Sequence, residues 1–259
     1  MKESSVKLVV LFYYQMYRKR HAVYCNIKQK GVFMEIFYTG FGSLDKHLKI
    51  YKGNLVVVGG KPAIGKTCFL CSMIEKTIDK QKIIFFAMRT NRHKAVDRLN
   101  MLNVMENENF YLFDDMVDFE ELLMIVAEYK IKYDIDAVFI DNAVDFFNDS
   151  YYSEKEITIK LKKLAEKLNV AILIADGHKC TYKRQSCYID LRHKSLIKYA
   201  DKIITINRPD RTATEKEIID GLVKKNVAEI MIDKDMDEYY SPWIKLKFDS
   251  NNFTFNEIT

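Results

Sequence analysis

The stretch VVVGGKPAIGKTCFL, residues 56–70, decides the fold. A β-branched run ends in two glycines, and Gly60-Lys-Pro-Ala-Ile-Gly65-Lys66-Thr67 then fits G-x-x-x-x-G-K-[ST] without a mismatch. That motif has meaning only between a strand and a helix, and the flanking residues supply both. The glycines let backbone N–H groups turn toward phosphate oxygens at the helix N-terminus. Lys66 neutralises the terminal phosphates, and Thr67 offers a hydroxyl to Mg²⁺. Such a loop also needs a carboxylate at the end of a neighbouring strand to orient the metal's shell. Asp141, closing Asp136-Ala-Val-Phe-Ile-Asp141, is the candidate. Gly60, Lys61, Pro62, Ala63, Ile64, Gly65, Lys66, Thr67 and Cys68, with Arg98 on the next helical span, are the candidate nucleotide contacts. Thr67 and Asp141 are the candidate metal ligands, and ATP with Mg²⁺ is the expected cofactor pair.

Outward from the loop, short β-branched or aromatic runs recur at residues 55–58, 83–86, 110–113, 137–140, 171–174 and 202–206. Their continuous apolarity predicts buried parallel strands with helices on both faces. Helices are expected over residues 66–80, 92–103, 119–129, 154–168 and 213–224, the fourth opened by a capping box of Ser153 and Glu156. Residues 228–233 and 243–248 alternate more cleanly, as an antiparallel extension would. The fold class expected is α/β, a mostly parallel sheet with an antiparallel C-terminal extension.

At 259 residues the chain suits one large α/β domain with a short appendage. Hydrophobic residues make up 48% and charged residues 30%, with 9 Gly and 3 Pro, so long flexible linkers and low-complexity tracts are excluded. A net charge of +5 permits a polyanionic partner without requiring one. The 5 cysteines, in a chain without a convincing export signal, read as reduced thiols of a cytoplasmic protein. Cys68-x-x-Cys71 lies behind the loop on a helix, where a core-facing pair is expected rather than a metal or redox site. No apolar run reaches the length of a membrane span, and the nearest, Leu8 to Tyr17, is short and followed by Arg18-Lys19-Arg20. Residues 1–33 are either an N-terminal helical segment that packs on a neighbouring subunit or a translated leader before a start at Met34. The leader reading arises because Lys30-Gly31-Val32 can be encoded as a purine-rich ribosome-binding sequence. Residues 34–259 form the catalytic-type domain in both cases.

The order of motifs resembles the RecA-like ATPase domain of DnaB-type replicative helicases. YTGFGSLDKHL (residues 38–48) is similar to the family's T-G-[FI]-x-x-L-D opening. Residues 154–175 resemble its helix and strand after the Asp. Residues 188–210 resemble its D-L-R-E-S-G stretch, and the segment from Ala228 its A-E-I-I-I-A-K-Q-R-N-G ending. The last two favour this family over its RadA-like relatives. The resemblance implies a P-loop NTPase fold, ATP·Mg²⁺ binding, single-stranded DNA in a central channel, and a homo-oligomer, hexameric in the family, or a partner helicase.

Three positions depart from the family. Its strand after the loop helix ends F-F-S-L-E, where Glu polarises the attacking water; here Phe85-Phe86-Ala87-Met88-Arg89 puts a cation there. Arg cannot accept a proton near neutral pH. The family's sensor Gln falls near Gly177 or His178. Of the K-Q-R whose basic groups reach a neighbour's γ-phosphate, Lys234 remains as a catalytic candidate while Met236 replaces Arg. With Lys66 and Asp141, Lys234 completes the catalytic set. The pattern fits an ATP·Mg²⁺ binder with impaired hydrolysis. It also leaves open an active helicase whose base is Asp145 or Glu120, and a protein-interaction module gated by nucleotide. Lys179, Lys183, Arg184, Arg192, His193 and Lys194 are the DNA-binding candidates, basic residues interleaved with Tyr182 where RecA-like proteins keep their DNA loops.

Overall fold

The computed structural model describes residues 35–88, 92–115, 117–149, 151–178, 190–235 and 243–258. Residues 1–33, Arg89, Lys179, Lys183, Arg184 and Met236, with the readings attached to them, lie outside the described residues. In chain order, β1 (Ile36–Phe37) and β2 (Ile50–Tyr51) pair antiparallel around a one-turn helix α1 (Gly42–Asp45). Then follow β3 (Leu55–Gly60), α2 (Lys66–Thr77), β4 (Ile83–Ala87), α3 (Arg92–Met101), β5 (Phe110–Phe113) and α4 (Phe119–Tyr133). The chain continues through β6 (Ala137–Asp141), α5 (Ala143–Asp149), α6 (Glu154–Leu168), β7 (Ala171–Gly177), α7 (Lys194–Tyr199) and β8 (Lys202–Asn207). A 3₁₀ turn (Pro209–Arg211) and α8 (Glu215–Ile219) lead to β9 (Val227–Asp235), β10 (Trp243–Asp249) and β11 (Thr254–Glu257).

Among the described residues the strands form a nine-stranded sheet in the order β11-β10-β9-β8-β3-β7-β6-β4-β5. The run from β8 to β5 is parallel throughout, and β9, β10 and β11 add antiparallel at the β8 edge. Every strand expected to be parallel is parallel, and the C-terminal pair is antiparallel as its alternation implies. The phosphate-loop strand β3 sits inside the sheet, between β7 and β8.

The two faces explain the continuous apolarity. Val56, Val58, Phe85, Phe139 and Leu173 face Phe69, Leu70 and Met73 of α2. Their neighbours Leu55, Val57, Ile84, Val138 and Ile172 face Leu122 and Val126 of α4 and Ile157 and Leu161 of α6. A strand covered on both sides has no polar position to spend. The capping box forms as expected, with Ser153 accepting from the Glu156 N–H and Glu156 accepting from the Ser153 N–H.

One expected helix is largely absent. Over residues 213–224 only Glu215–Ile219 is α-helical, and Gly221 turns the chain at φ +72°. Two of its apolar positions are not covered by any described residue: Ile219 is 78% and Leu222 75% exposed. Helix propensity without a buried face does not sustain further turns. The short helices α5 and α7 and the edge strand β11 carry too little periodicity to be read from sequence.

Candidate functional site

The segment before the loop grips the helix after it. Thr39 donates its backbone N–H and its hydroxyl to Asp45 Oδ1, at 2.8 and 2.7 Å, closing the turn that starts α1. That turn delivers Phe41 onto Phe69 of α2, ring centroids 5.4 Å apart and parallel. Gly40, at φ +80°, leaves no room for a side chain, because a Cβ would stand 2.5 Å from Lys76 Cβ. From the far end of the chain, Phe255 meets Phe69 edge-on and donates its backbone N–H to Ser72 Oγ at 3.0 Å. The T-G-F-x-x-L-D stretch is thus a clasp on α2, which holds the loop in place.

The loop leaves β3 at Gly60 and enters α2 through Gly65, the helix N-cap, at φ +111°. An L side chain there is strained, and its Cβ would also lie 3.1 Å from the Phe255 ring. Lys66 folds back over the loop, its Nζ donating to the carbonyls of Gly60 (2.9 Å) and Lys61 (3.0 Å). Burial lowers the Lys66 pKa, against an opposing pull from Asp141 and Asp176. Thr67 Oγ1 donates to Asp141 Oδ2 at 2.6 Å, and Asp141 is fully buried at the end of β6. Two hard oxygen donors this close fit Mg²⁺. Next to them, Met88 donates its N–H to the Asp141 carbonyl at 2.8 Å. The Met88 backbone therefore runs beside the Thr67–Asp141 pair.

The remaining sequence candidates separate. Pro62 and Ala63 are exposed on the loop and Ile64 is buried beneath it. Cys68 and Cys71 are core residues whose thiol pKa values burial pushes up. Arg98, on α3, lies over the exposed Phe253 ring at 5.5 Å. Arg192 and Lys194 are exposed at the start of α7, but His193 between them is buried, 6% exposed. Its Nδ1 meets Asp176 Oδ1 at 2.8 Å and its ring stacks on Phe147 at 4.2 Å. Lys234 Nζ donates to the carbonyls of Ile197 (3.1 Å), Lys198 (3.4 Å) and Ala200 (2.6 Å), capping the end of α7 within the same chain. Glu120 is held by Lys160 at 2.8 Å across the α4–α6 contact, and Asp145 lies in the first turn of α5. Sequence reasoning missed the Asp176–His193 pair and the aromatic role of Phe253, because their partners are far apart in the chain.

Residues 37–105 match the DnaB-like helicase C-terminal domain family. A probable plasmid replicative DNA helicase of Chlamydia psittaci is 23% identical over 83% of this chain and 54% of that protein, so the chain spans about half its length. Among solved structures, a DnaB-like replicative helicase studied with primase superposes with a TM-score of 0.72, at 18% identity over 94% of this chain and 67% of that one. The ATPase domain of G40P gives a TM-score of 0.71, at 20% identity over 93% of this chain and 98% of that one. Among the described residues no helix is long and apolar enough to cross a membrane. Residues 37–105 are thus similar to the DnaB-like helicase C-terminal domain family, and the α/β fold, a mostly parallel sheet with antiparallel C-terminal strands, is that of DnaB-like ATPase domains.

Proposed function

We propose that residues 34–259 act as a nucleotide-dependent DNA-binding unit. It takes ATP·Mg²⁺ at residues 60–67 and single-stranded DNA on the Arg192–Lys194 face, and its hydrolysis is weak or completed by a partner chain. The single observation that carries the nucleotide reading is the Thr67–Asp141 hydrogen bond of 2.6 Å beside a lysine curled over its own glycine loop. Thr67 and Asp141 would hold the metal, which supplies charge neutralisation at the phosphate oxygens. Gly60 to Thr67 would cradle the phosphates with backbone N–H groups, and Lys66 would exchange its carbonyl partners for phosphate oxygens. Arg98 and Phe253 form a planar cation and an aromatic face near the loop helix, suited to a purine base.

Weak hydrolysis is supported by the sequence alone at position 89, where the family's Glu is replaced by Arg, which cannot accept a proton near neutral pH. It is supported also by Lys234, whose ammonium is engaged by three carbonyls of its own chain. On the DNA side, Arg192 and Lys194 remain exposed, and Lys198 extends the basic strip one helical turn along α7. His193 is a support for that strip through Asp176 rather than a contact. Two of the similar proteins are described as replicative helicases, which supports a reading in which the DNA partner is met during replication.

The test is phosphate release from ATP·Mg²⁺ with and without single-stranded DNA, beside binding of a fluorescent ATP analogue, for the wild type and Lys66→Ala. Tight binding that Lys66→Ala removes, without turnover, is the expected result. DNA-stimulated turnover lost in Lys66→Ala would make the chain an active motor and overturn the reading of Arg89. DNA affinity should fall steeply with salt, with a shallower slope in Arg192→Ala and Lys194→Ala.

A further inference from the structure

His178 follows β7 directly, and its side chain is buried at 1% exposure with neither ring nitrogen hydrogen-bonded among the described residues. It is pressed against the phosphate-loop strand. Its backbone N–H donates to the Gly60 carbonyl at 3.0 Å, and it bridges antiparallel to Leu191. A Cβ on Gly59 would stand 2.9 Å from His178 Nε2, so the imidazole occupies the space that a side chain in β3 would fill. A buried polar ring without partners requires an explanation in chemistry rather than in packing.

The groups around it set an electrostatic balance. Lys66 and Lys61, from the loop and the start of α2, oppose an imidazolium; Asp176 on its own strand and Asp190 before α7 favour one. Arg192 adjoins through its N–H to the Gly177 carbonyl at 2.8 Å, and His193 already engages Asp176. Burial, with Lys66 next, holds the His178 pKa down at about 4, so the ring is neutral when the loop lysines stand uncompensated. Phosphates in the loop would offset the lysine charges, and although burial still favours the neutral ring, the balance of nearby charges would shift toward the imidazolium.

We propose that polyphosphate binding at the loop is coupled to protonation of His178, which takes one proton from solvent as the loop lysines are neutralised. This rests on the nucleotide-binding reading above. It makes nucleotide affinity rise as the solution is acidified, through a residue that itself need not touch the nucleotide.

The experiment is calorimetric titration of adenosine 5′-(γ-thio)triphosphate with Mg²⁺ at pH 6, in two buffers of different ionisation enthalpy, for the wild type and His178→Gln. Comparison of the two proteins cancels the nucleotide's own proton. The wild type should take up a larger fraction of a proton than the variant. Its affinity should rise roughly two- to fivefold more between pH 7.5 and pH 5.5. Equal proton uptake in the two proteins would overturn the proposal. Should His178→Gln fail to fold, NMR titration of the wild-type imidazoles with and without the analogue replaces it, and imidazole pKa values unmoved by the analogue would be equally decisive against it. Absence of binding heat in both buffers at every pH would overturn the nucleotide reading and this proposal with it.

Discussion

Thr67→Val and Asp141→Ala, made singly and together, isolate the contact at the head of the candidate metal site. The hydroxyl donates to a buried carboxylate at 2.6 Å, within the range of charge-assisted O–H···O⁻ bonds. Bonds of this kind contribute about 1.5–3 kcal/mol. The single changes do not report that value. Asp141→Ala removes a carboxylate whose burial is itself costly, and it can be near neutral or stabilising in the absence of metal. Thr67→Val leaves the carboxylate short of a donor and should destabilise. The double-mutant cycle cancels the desolvation and cavity contributions and leaves the coupling, expected at about 1.5–3 kcal/mol. Urea unfolding of the four proteins without nucleotide, followed by far-UV circular dichroism at constant m, gives it directly. A coupling below about 0.5 kcal/mol would mean that the two groups are not preassembled, and the metal-site reading would lose its basis. With Mg²⁺ present, both single variants should lose the metal-dependent part of ATP affinity.

Other consequences are open to the same methods. Phe69→Ala removes a fully buried ring that stacks on Phe41 and abuts Phe255, and should cost about 3–5 kcal/mol in urea unfolding, with Phe69→Leu much milder. Because the folded-state pKa of His178 lies near 4 and the unfolded value near 6.5, the unfolded chain binds the proton first on acidification. Stability should therefore fall between pH 6.5 and pH 4, by about 3 kcal/mol, and the His178→Gln protein should show a correspondingly flatter profile. Lys234→Met strips the end of α7 of its ammonium donor and should cost about 1–2 kcal/mol while leaving ATP affinity unchanged. A large loss of ATP affinity instead would restore Lys234 to the nucleotide site.

The parallel sheet was legible because its strands are buried on both faces and therefore read as unbroken apolar runs, with the phosphate loop fixing which strand is central. The Thr67–Asp141 pair was legible for a related reason: a loop of that pattern has one place for its acidic partner, the end of a strand in the same sheet. What could not be read depends on where a side chain finds company. His193 sits in a basic run yet is buried, because Asp176 and Phe147 arrive from other elements. Lys234 has the spacing of a group that reaches outward, but the free carbonyls at the end of α7 lie nearer. The apolar positions of residues 213–224 have helical spacing, but among the described residues nothing covers Ile219 or Leu222. Spacing reports a potential face, whereas burial is decided by topology.

The Lys66 ammonium, held by the carbonyls of its own loop, bears on how quickly a ligand is captured. Its long side chain has already surrendered rotamer freedom, and the glycine turn is wound around it. On the proposed nucleotide-binding reading, an arriving phosphate would meet an ordered loop and trade places with two carbonyl oxygens, instead of waiting for a loose strand of backbone to assemble. The entropic penalty of ordering is mostly settled during folding. Capture should proceed at a rate set by encounter, and differences in affinity between nucleotides should show in how long each stays bound.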